Sequence, residues 1–438
     1  MHPTTADSAA YLKRQSQTVT ASAPVAALLI VLMSEAPLML AMKVLPAALV
    51  GPIAQTSFFA TYLIAIGGLV IVSGWRVFAS LTGVLLLAFA AWASASMAWS
   101  IDPPETVESS LKLLGNLLAC GYLASLGLRR LVITLAATGA VLALGSALLG
   151  ALLPAIGTMH ETHIGAWCGF WLEKNKFGLI MAVVGIVCLA VGAIPQHRRW
   201  AYATAVLVVV LVVLARSATA LAGLAIGYAV VIGIQLMRRG PVVNALTLGA
   251  GVLIGVSCIA ALLIRPDLFL ELLGRDGTLT SRTAIWQSVS FHASGHPWLG
   301  VGFSAYFVNP TGPLGFTILE LDFIPMTAHN SWLELFIEGG YPSVLIMILA
   351  LAAGVFGALK RMYQEPVAAA VLAVLAAFVF MGMTESLLGI PNTFVWTVIA
   401  AFLLAVFVSE PPPSQTYVGI PEWSPNGYSV LDAIDLPD

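Results

Sequence analysis

The sequence predicts an all-α polytopic inner-membrane protein of about twelve transmembrane helices, with a large outward-facing loop between the ninth and tenth. Three observations carry this. Apolar residues make up 59% of the 438-residue chain and charged residues only 9%, with a mean hydropathy of +0.96; a soluble globule carries roughly 25% charged residues. Apolar runs of about 20 residues recur, the length a helix needs to cross a hydrocarbon core of roughly 30 Å, whereas outer-membrane strands alternate in shorter segments. Basic residues gather in every second break between those runs.

The N-terminus is polar through Pro24, with Lys13 and Arg14 ahead of the first apolar run. The expectation is a cytoplasmic tail over 1–24 and a first run retained as a span rather than removed as a signal peptide. The spans fall near 25–47, 57–73, 79–98, 111–128, 132–155, 176–194, 201–215, 218–237 and 244–264, then 331–358, 367–383 and 390–408. Arg76, Arg129 with Arg130, Arg198 with Arg199, Arg238 with Arg239, and Lys360 with Arg361 follow even-numbered spans. Positive charge concentrates on the cytoplasmic side, so both termini are expected there and the odd-numbered breaks face outward.

The outward breaks are 99–110, 156–175, the few residues around Arg216, 265–330 and 384–389. The 265–330 segment is the longest, and its Ile285, Trp286, Val289, Trp298, Phe303, Tyr306 and Phe307 suit a folded loop rather than a disordered one. Residues 281–291 can form a short amphipathic helix on the membrane surface. Residues 409–438, rich in Pro and Asp, read as a disordered cytoplasmic tail. The expected division is thus 1–24, spans one to nine over 25–264, the loop 265–330, spans ten to twelve over 331–408, and 409–438. The four cysteines (Cys120, Cys168, Cys188, Cys258) have neither metal-ligand spacing nor a disulfide framework. The sequence holds no Gly-rich phosphate loop, no HExxH and no nucleic-acid-binding patch, and no metal site or cofactor is expected.

Lys174, Lys176, Arg216, Arg265, Arg275 and Arg282 lie on the outward side, where the charge rule disfavours them, so something other than orientation should hold them. Arg216 interrupts a nearly continuous apolar stretch. It either snorkels to the outer headgroups or binds an anion. Arg282 has a guanidinium fork that matches phosphate oxygens, while Arg275 beside Asp276 can instead be a turn pair. Lys174 and Asn175 open span six, as ligand contacts or as an interfacial anchor. His329 stands where the long loop re-enters the membrane; it is a candidate base for a sugar hydroxyl, or a capping group at the interface. Asn330 or Ser331 can cap the next helix. Asn330, Glu334 and Glu338 form a polar stripe at i, i+4, i+8, and Glu338 before Gly339-Gly340 can instead support a helix end or kink.

The segments "WSIDPPETVESS", "FWLEKNKFG", "ARSATA", "LGRDGTLTSRTAIW", "HPWLGVGFSAYF" and "AHNSWLELFIEGGYP", in this order across roughly residues 80–385, resemble the O-antigen ligase / polysaccharide polymerase superfamily. Within it they are similar to the ExoQ-type exopolysaccharide polymerization proteins. The resemblance implies a GT-C-like fold and a metal-independent membrane glycosyltransferase without cofactor. Its donor would be an undecaprenyl-diphosphate-linked glycan at the periplasmic face, and its acceptor another such glycan. It implies that Arg216 and Arg282 hold the donor diphosphate and His329 acts on the acceptor, with Lys174, Asn175, Asn330 and Glu338 as further substrate contacts. The lipid bilayer is the setting, a chain-length co-polymerase and an export complex are candidate partners, and no nucleic acid is involved.

Transfer to lipid A core, as by an O-antigen ligase, is the alternative, and residue chemistry does not separate the two. A transporter or flippase would scatter polar residues through many helices near the midplane. Here the polar groups cluster at the outward face, and no internal repeat is strong enough to support an inverted-repeat transporter. A structural scaffold of an export complex is a weaker third option.

Overall fold

A computed structural model describes residues 23–264, 277–308, 313–321 and 324–408. Residues 1–22 of the tail expected over 1–24, the tail expected over 409–438, and Arg265 and Arg275 with Asp276 lie outside the described residues, whereas residues 23 and 24 already belong to the first helix. The described part is helical, with one isolated antiparallel bridge between Thr158 and Trp167.

The first apolar run divides into α1 (Ala23–Met33) and α2 (Ala36–Val44), bent by 49°. Pro37 cannot extend the ladder of α1, but its missing N–H costs nothing in the first turn of α2. Glu35 turns the corner with a left-handed φ of 58°. Its carboxylate pairs with Lys176 at 2.5 Å, the Trp171 indole donates to the Ser34 carbonyl at 2.7 Å, and Lys43 donates to the carbonyls of Ile156 and Gly169 at 2.7 and 2.9 Å. The bend is thereby laced to the 156–176 break.

Next come α3 (Ala47–Ile71), α4 (Leu81–Ala95), α5 (Pro103–Ser125), α6 (Leu128–Leu152), the single turn α7 (Pro154–Gly157) and α8 (Lys174–Val191). They continue as α9 (Arg198–Ala215), α10 (Ala218–Met237) and α11 (Pro241–Ile264). The remaining helices are α12 (Gly277–Ser294), α13 (Pro313–Leu321), α14 (Ser331–Arg361), α15 (Ala368–Met381) and α16 (Phe394–Ala405). Helix α3 starts earlier than the expected span two and runs through Gly51-Pro52, a pair that reads as a stop in water but is tolerated within membrane helices. Seven described helices are long and apolar enough to cross a membrane, eight if the bent α1–α2 pair is one span, and α15 and α16 are shorter apolar helices. Helix α5 is less apolar because Glu105, Glu108 and Lys112 lie in its first turns; it starts where Asp102 accepts the Glu105 N–H at 3.2 Å, with Pro103 first in the helix.

Helix α8 is the centre. Every residue from 177 to 188 is buried, as expected of a helix that is apolar on all sides, and α6, α9, α10 and α15 pack around it. The peripheral helices expose Leu81, Val84, Val141 and Leu144, side chains suited to lipid. The basic breaks at Arg129 and at Lys360–Arg361 meet at one end of the bundle, beside the start of α11. There Arg129 pairs with Glu365 at 3.4 Å, Arg361 donates to the Val408 carbonyl at 2.6 Å and Asn244 donates to Tyr363 at 3.0 Å. The breaks expected to face outward meet at the opposite end, through Ile101 N to Val301 O (2.9 Å), Trp167 N to Leu214 O (3.0 Å) and Ser331 N to Gly382 O (2.8 Å).

At that second end α14 is kinked. Gly340 has φ 65° and ψ −165°, and Pro342 lacks the N–H that would bond the Glu338 carbonyl. The segment 297–302 supplies the missing partners: Val301 N donates to Ile337 O (2.8 Å), Gly302 N to Glu338 O (3.0 Å), and Tyr341 N returns to Pro297 O (2.8 Å). The indole of Trp92 takes the Gly339 carbonyl at 2.8 Å. The backbones approach so closely that a Cβ at Gly300 or Gly340 would run into the facing chain. This clasp fixes 297–308 over the start of α14. Helix α12 joins it through Ile285, Val289 and Ala293, packed on Val301, Tyr306 and Ile337. A helix therefore forms over the expected 281–291, but its apolar residues are not segregated to one face, and Ile285, Val289 and Ala293 are buried against protein. It begins at Gly277, which sets Arg282 in its second turn rather than at its start.

Candidate functional site

The site lies at the end of the bundle away from the basic breaks and is built on three helix starts and one helix exit. Asn330 caps α14, its Oδ1 accepting from Trp332 N at 3.0 Å and Leu333 N at 3.1 Å. The cap makes the chain turn sharply just before it, and His329 sits at a left-handed φ of 47°. Such a conformation costs a non-glycine residue about 1–3 kcal/mol and persists only where the surroundings hold it. Ser331 does not cap; its hydroxyl donates to the Glu385 carbonyl at 2.9 Å and accepts from Leu387 N at 2.9 Å. This pins the short loop after α15 beside His329.

Glu385 is the residue that sequence reasoning missed, and it joins two that were expected. One carboxylate oxygen accepts from Arg282 Nη2 at 2.8 Å, and the other faces His329 Nδ1 at 3.3 Å. The Arg282 and Glu385 side chains are nearly buried, at 12% and 10% exposure, whereas His329 keeps 38%. The imidazole is thus held on one edge and open on the other. The signal for Glu385 was present: it is the acid group of the narrow outward break 384–389, between two apolar helices, where an unpaired carboxylate would be expensive.

Arg216 ends α9, also in the left-handed region (φ 52°), and the two-residue break that follows opens α10. Lys174, buried at the first position of α8, donates to the Arg216 carbonyl at 3.1 Å. An ammonium at the positive end of its own helix is misplaced with respect to that dipole, but it complements the negative end of α9. Asn175 follows, half-buried. The Arg216 guanidinium is exposed and reaches the Ile164 carbonyl at 3.4 Å. Ser217 heads α10 without capping it, and its hydroxyl is buried with no hydrogen-bond partner. At the second residue of α10, Thr219 meets Thr384 at 3.2 Å, next to Glu385. The Arg216 break and the Arg282–Glu385–His329 cluster therefore adjoin through Thr219–Thr384, and no described contact joins the two guanidinium groups.

Glu338 stands apart from that cluster. With Glu334 and Glu105 it lines a cavity of about 210 Å³ between the start of α14, the start of α5 and residues 303–308. Glu334 accepts from Ala328 N at 3.3 Å and from the Ser386 hydroxyl, so the polar stripe on α14 faces protein and cavity rather than lipid. Among the described residues no group of three or more His, Cys, Asp and Glu is placed to hold a metal ion.

A partly exposed imidazole, a nearly buried arginine and an unpartnered hydroxyl at a helix start are gathered at one end of an apolar bundle. Residues 203–348 match the O-antigen ligase family (Wzy_C). The match takes in Arg216, Arg282, His329, Asn330, Glu334 and Glu338. The chain is also 26% identical over 302 residues to the exopolysaccharide production protein ExoQ of Rhizobium meliloti (strain 1021), an alignment covering 64% of this chain and 66% of that protein. The aligned stretch is just under two thirds of the relative's length. The resemblance to O-antigen ligases and ExoQ-type proteins is therefore borne out. Lys174, Asn175 and Glu385 lie outside the family match, and contacts connect Lys174 and Glu385 to the site.

Proposed function

We propose that the protein extends an exopolysaccharide by transferring a glycan from an undecaprenyl-diphosphate carrier to a hydroxyl of a second carrier-linked glycan. The observation that carries this reading is Glu385 shared between Arg282 and His329. The attacking hydroxyl oxygen bonds to C1 of the donor's reducing-end sugar as the bond from C1 to the diphosphate oxygen breaks. The electron pair leaves on the diphosphate, and the hydroxyl proton passes to His329. With Nδ1 turned to Glu385, the proton of the neutral ring sits there and Nε2 keeps the lone pair that receives the new one. Glu385 then stabilises the imidazolium.

The departing diphosphate gains charge, and preorganised donors stabilise it. The start of α10 supports a place for it: helix N-terminal amides attract phosphate, Ser217 offers a free hydroxyl, and Arg216 stands beside them. Arg282 gives one of its N–H groups to Glu385, and the guanidinium has five. The charge rule puts this end of the bundle outside the cytoplasm, with both termini inside, in a chain of about twelve spans. Polymerisation is favoured over transfer to lipid A core because the ExoQ relative is an exopolysaccharide production protein.

Reconstitution of the purified protein with a defined undecaprenyl-diphosphate oligosaccharide, in EDTA and without ATP or an ion gradient, is expected to yield a ladder of longer carrier-linked glycans. Turnover only when lipid A core is supplied would favour the ligase reading, and no conversion at all would remove the transferase reading.

A further inference from the structure

The cavity beside the cluster has a composition that the chemistry above does not use. Its ionisable lining is carboxylic, Glu105 from the first turn of α5 and Glu334 and Glu338 from α14, with Ser304 and Thr327 as the other polar side chains. Phe303 and Phe307 are its aromatic lining. No Lys, Arg or His is among the described residues that line it. Its volume of about 210 Å³ is below the roughly 300–1,000 Å³ of pockets for drug-sized ligands, which suits one pyranose ring rather than an oligosaccharide.

The cavity adjoins the proposed base. Thr327, in its wall, accepts from His329 N at 3.3 Å, and residues 388–390 of the opposite wall follow Glu385 in the same short loop. Glu338, at 8% exposure, receives the Ser304 backbone N–H, with Ser304 held at a left-handed φ of 55°. One N–H does not exhaust a carboxyl group, which has up to about four acceptor sites when ionised and an O–H donor when protonated, and this leaves capacity for sugar hydroxyls.

We infer that this cavity seats the acceptor-end sugar ring, and that it accepts a ring without acid groups while rejecting a uronic acid. The inference rests on the glycosyl-transfer reading. Hydroxyls donate to Glu334 and Glu338, and the C–H face of the ring lies on Phe303 or Phe307. A uronate carboxylate entering the same space would meet three carboxyl groups and no cation among the described lining residues, and a buried charge without a partner is strongly disfavoured.

The test uses the full-length protein in nanodiscs and saturation-transfer NMR with methyl glycosides of glucose, galactose and mannose, each compared with its own uronate. At least one neutral glycoside is expected to bind about tenfold more strongly than its uronate, the size of effect that leaving one charged group unpaired produces. Glu338→Gln should narrow that ratio. Val308→Trp, at an exposed position of the wall, should abolish binding without disturbing the buried core. Equal binding of uronates, no binding of any neutral glycoside, or undiminished binding in Val308→Trp overturns the inference. Farnesyl diphosphate, titrated into the same nanodiscs with phosphorus detection, separates the two claims. Diphosphate binding that depends on Arg282 without any glycoside binding defeats the cavity alone. The glycoside pattern without diphosphate binding defeats the transferase reading alone.

Discussion

Replacing His329 with alanine is expected to slow chain extension by about 10²–10⁴-fold, the usual contribution of a positioned general base, with the fold unchanged. The ring makes few of the contacts that hold its surroundings. The turn is set by Asn330 capping α14 and by Ser331 bound to the 385–387 loop, and these groups remain in the variant. The loss should appear in turnover at saturating donor, because diphosphate affinity depends on Arg216, Arg282 and the start of α10. His329→Ala with normal polymer yield in proteoliposomes would remove the imidazole from the mechanism. A variant that fails to fold would instead assign the ring a structural role.

Glu385→Ala is expected to affect stability and activity together. It leaves the Arg282 guanidinium nearly buried and without its carboxylate, and breaking one side of a buried pair costs about 3–5 kcal/mol. Removing both partners should cost less than the sum of the single changes, because the double variant holds no stranded charge. Thermal unfolding of Glu385→Ala, Arg282→Ala and the double variant in one detergent measures that coupling. Glu385→Gln separates the roles: it keeps the size and can still meet one partner, but it no longer stabilises the imidazolium. Its melting temperature should therefore stay closer to wild type than that of Glu385→Ala, while transfer remains slow. Strictly additive melting shifts in the cycle would mean that the 2.8 Å contact contributes nothing.

How much of this was legible in the sequence depended on the length scale of each signal. The apolar runs and alternating basic breaks are long-range patterns, and contacts join the basic breaks at Arg129 and at Lys360–Arg361. The bend at Ser34–Glu35 was hidden, because residues 25–47 are apolar almost throughout and the corner is made by one left-handed residue before Ala36-Pro37. Helix α3 running through Gly51-Pro52 was hidden for the opposite reason, since turn signals calibrated in water lose force in lipid. At the site, Arg216, Arg282 and His329 stood out as polar groups in the wrong place. Their grouping was not visible, because Arg282 and His329 meet only through Glu385, which lies 56 residues beyond His329 on another loop. Lys174 was legible as a misplaced cation, but not as the donor to the Arg216 carbonyl just past α9. Glu338 was legible as part of a stripe, while the cavity it lines needed the 297–308 segment clasped onto the α14 kink.

The central claim is a single displacement at C1, with the hydroxyl and the diphosphate on opposite faces of the sugar. The most direct measurement is the anomeric configuration of the newly formed linkage, read by NMR on product made by the purified protein from a donor of known configuration. Inversion is the expected result. Retention would require a glycosyl-enzyme intermediate or an equivalent second displacement, and would contradict His329 acting as the base of a one-step transfer.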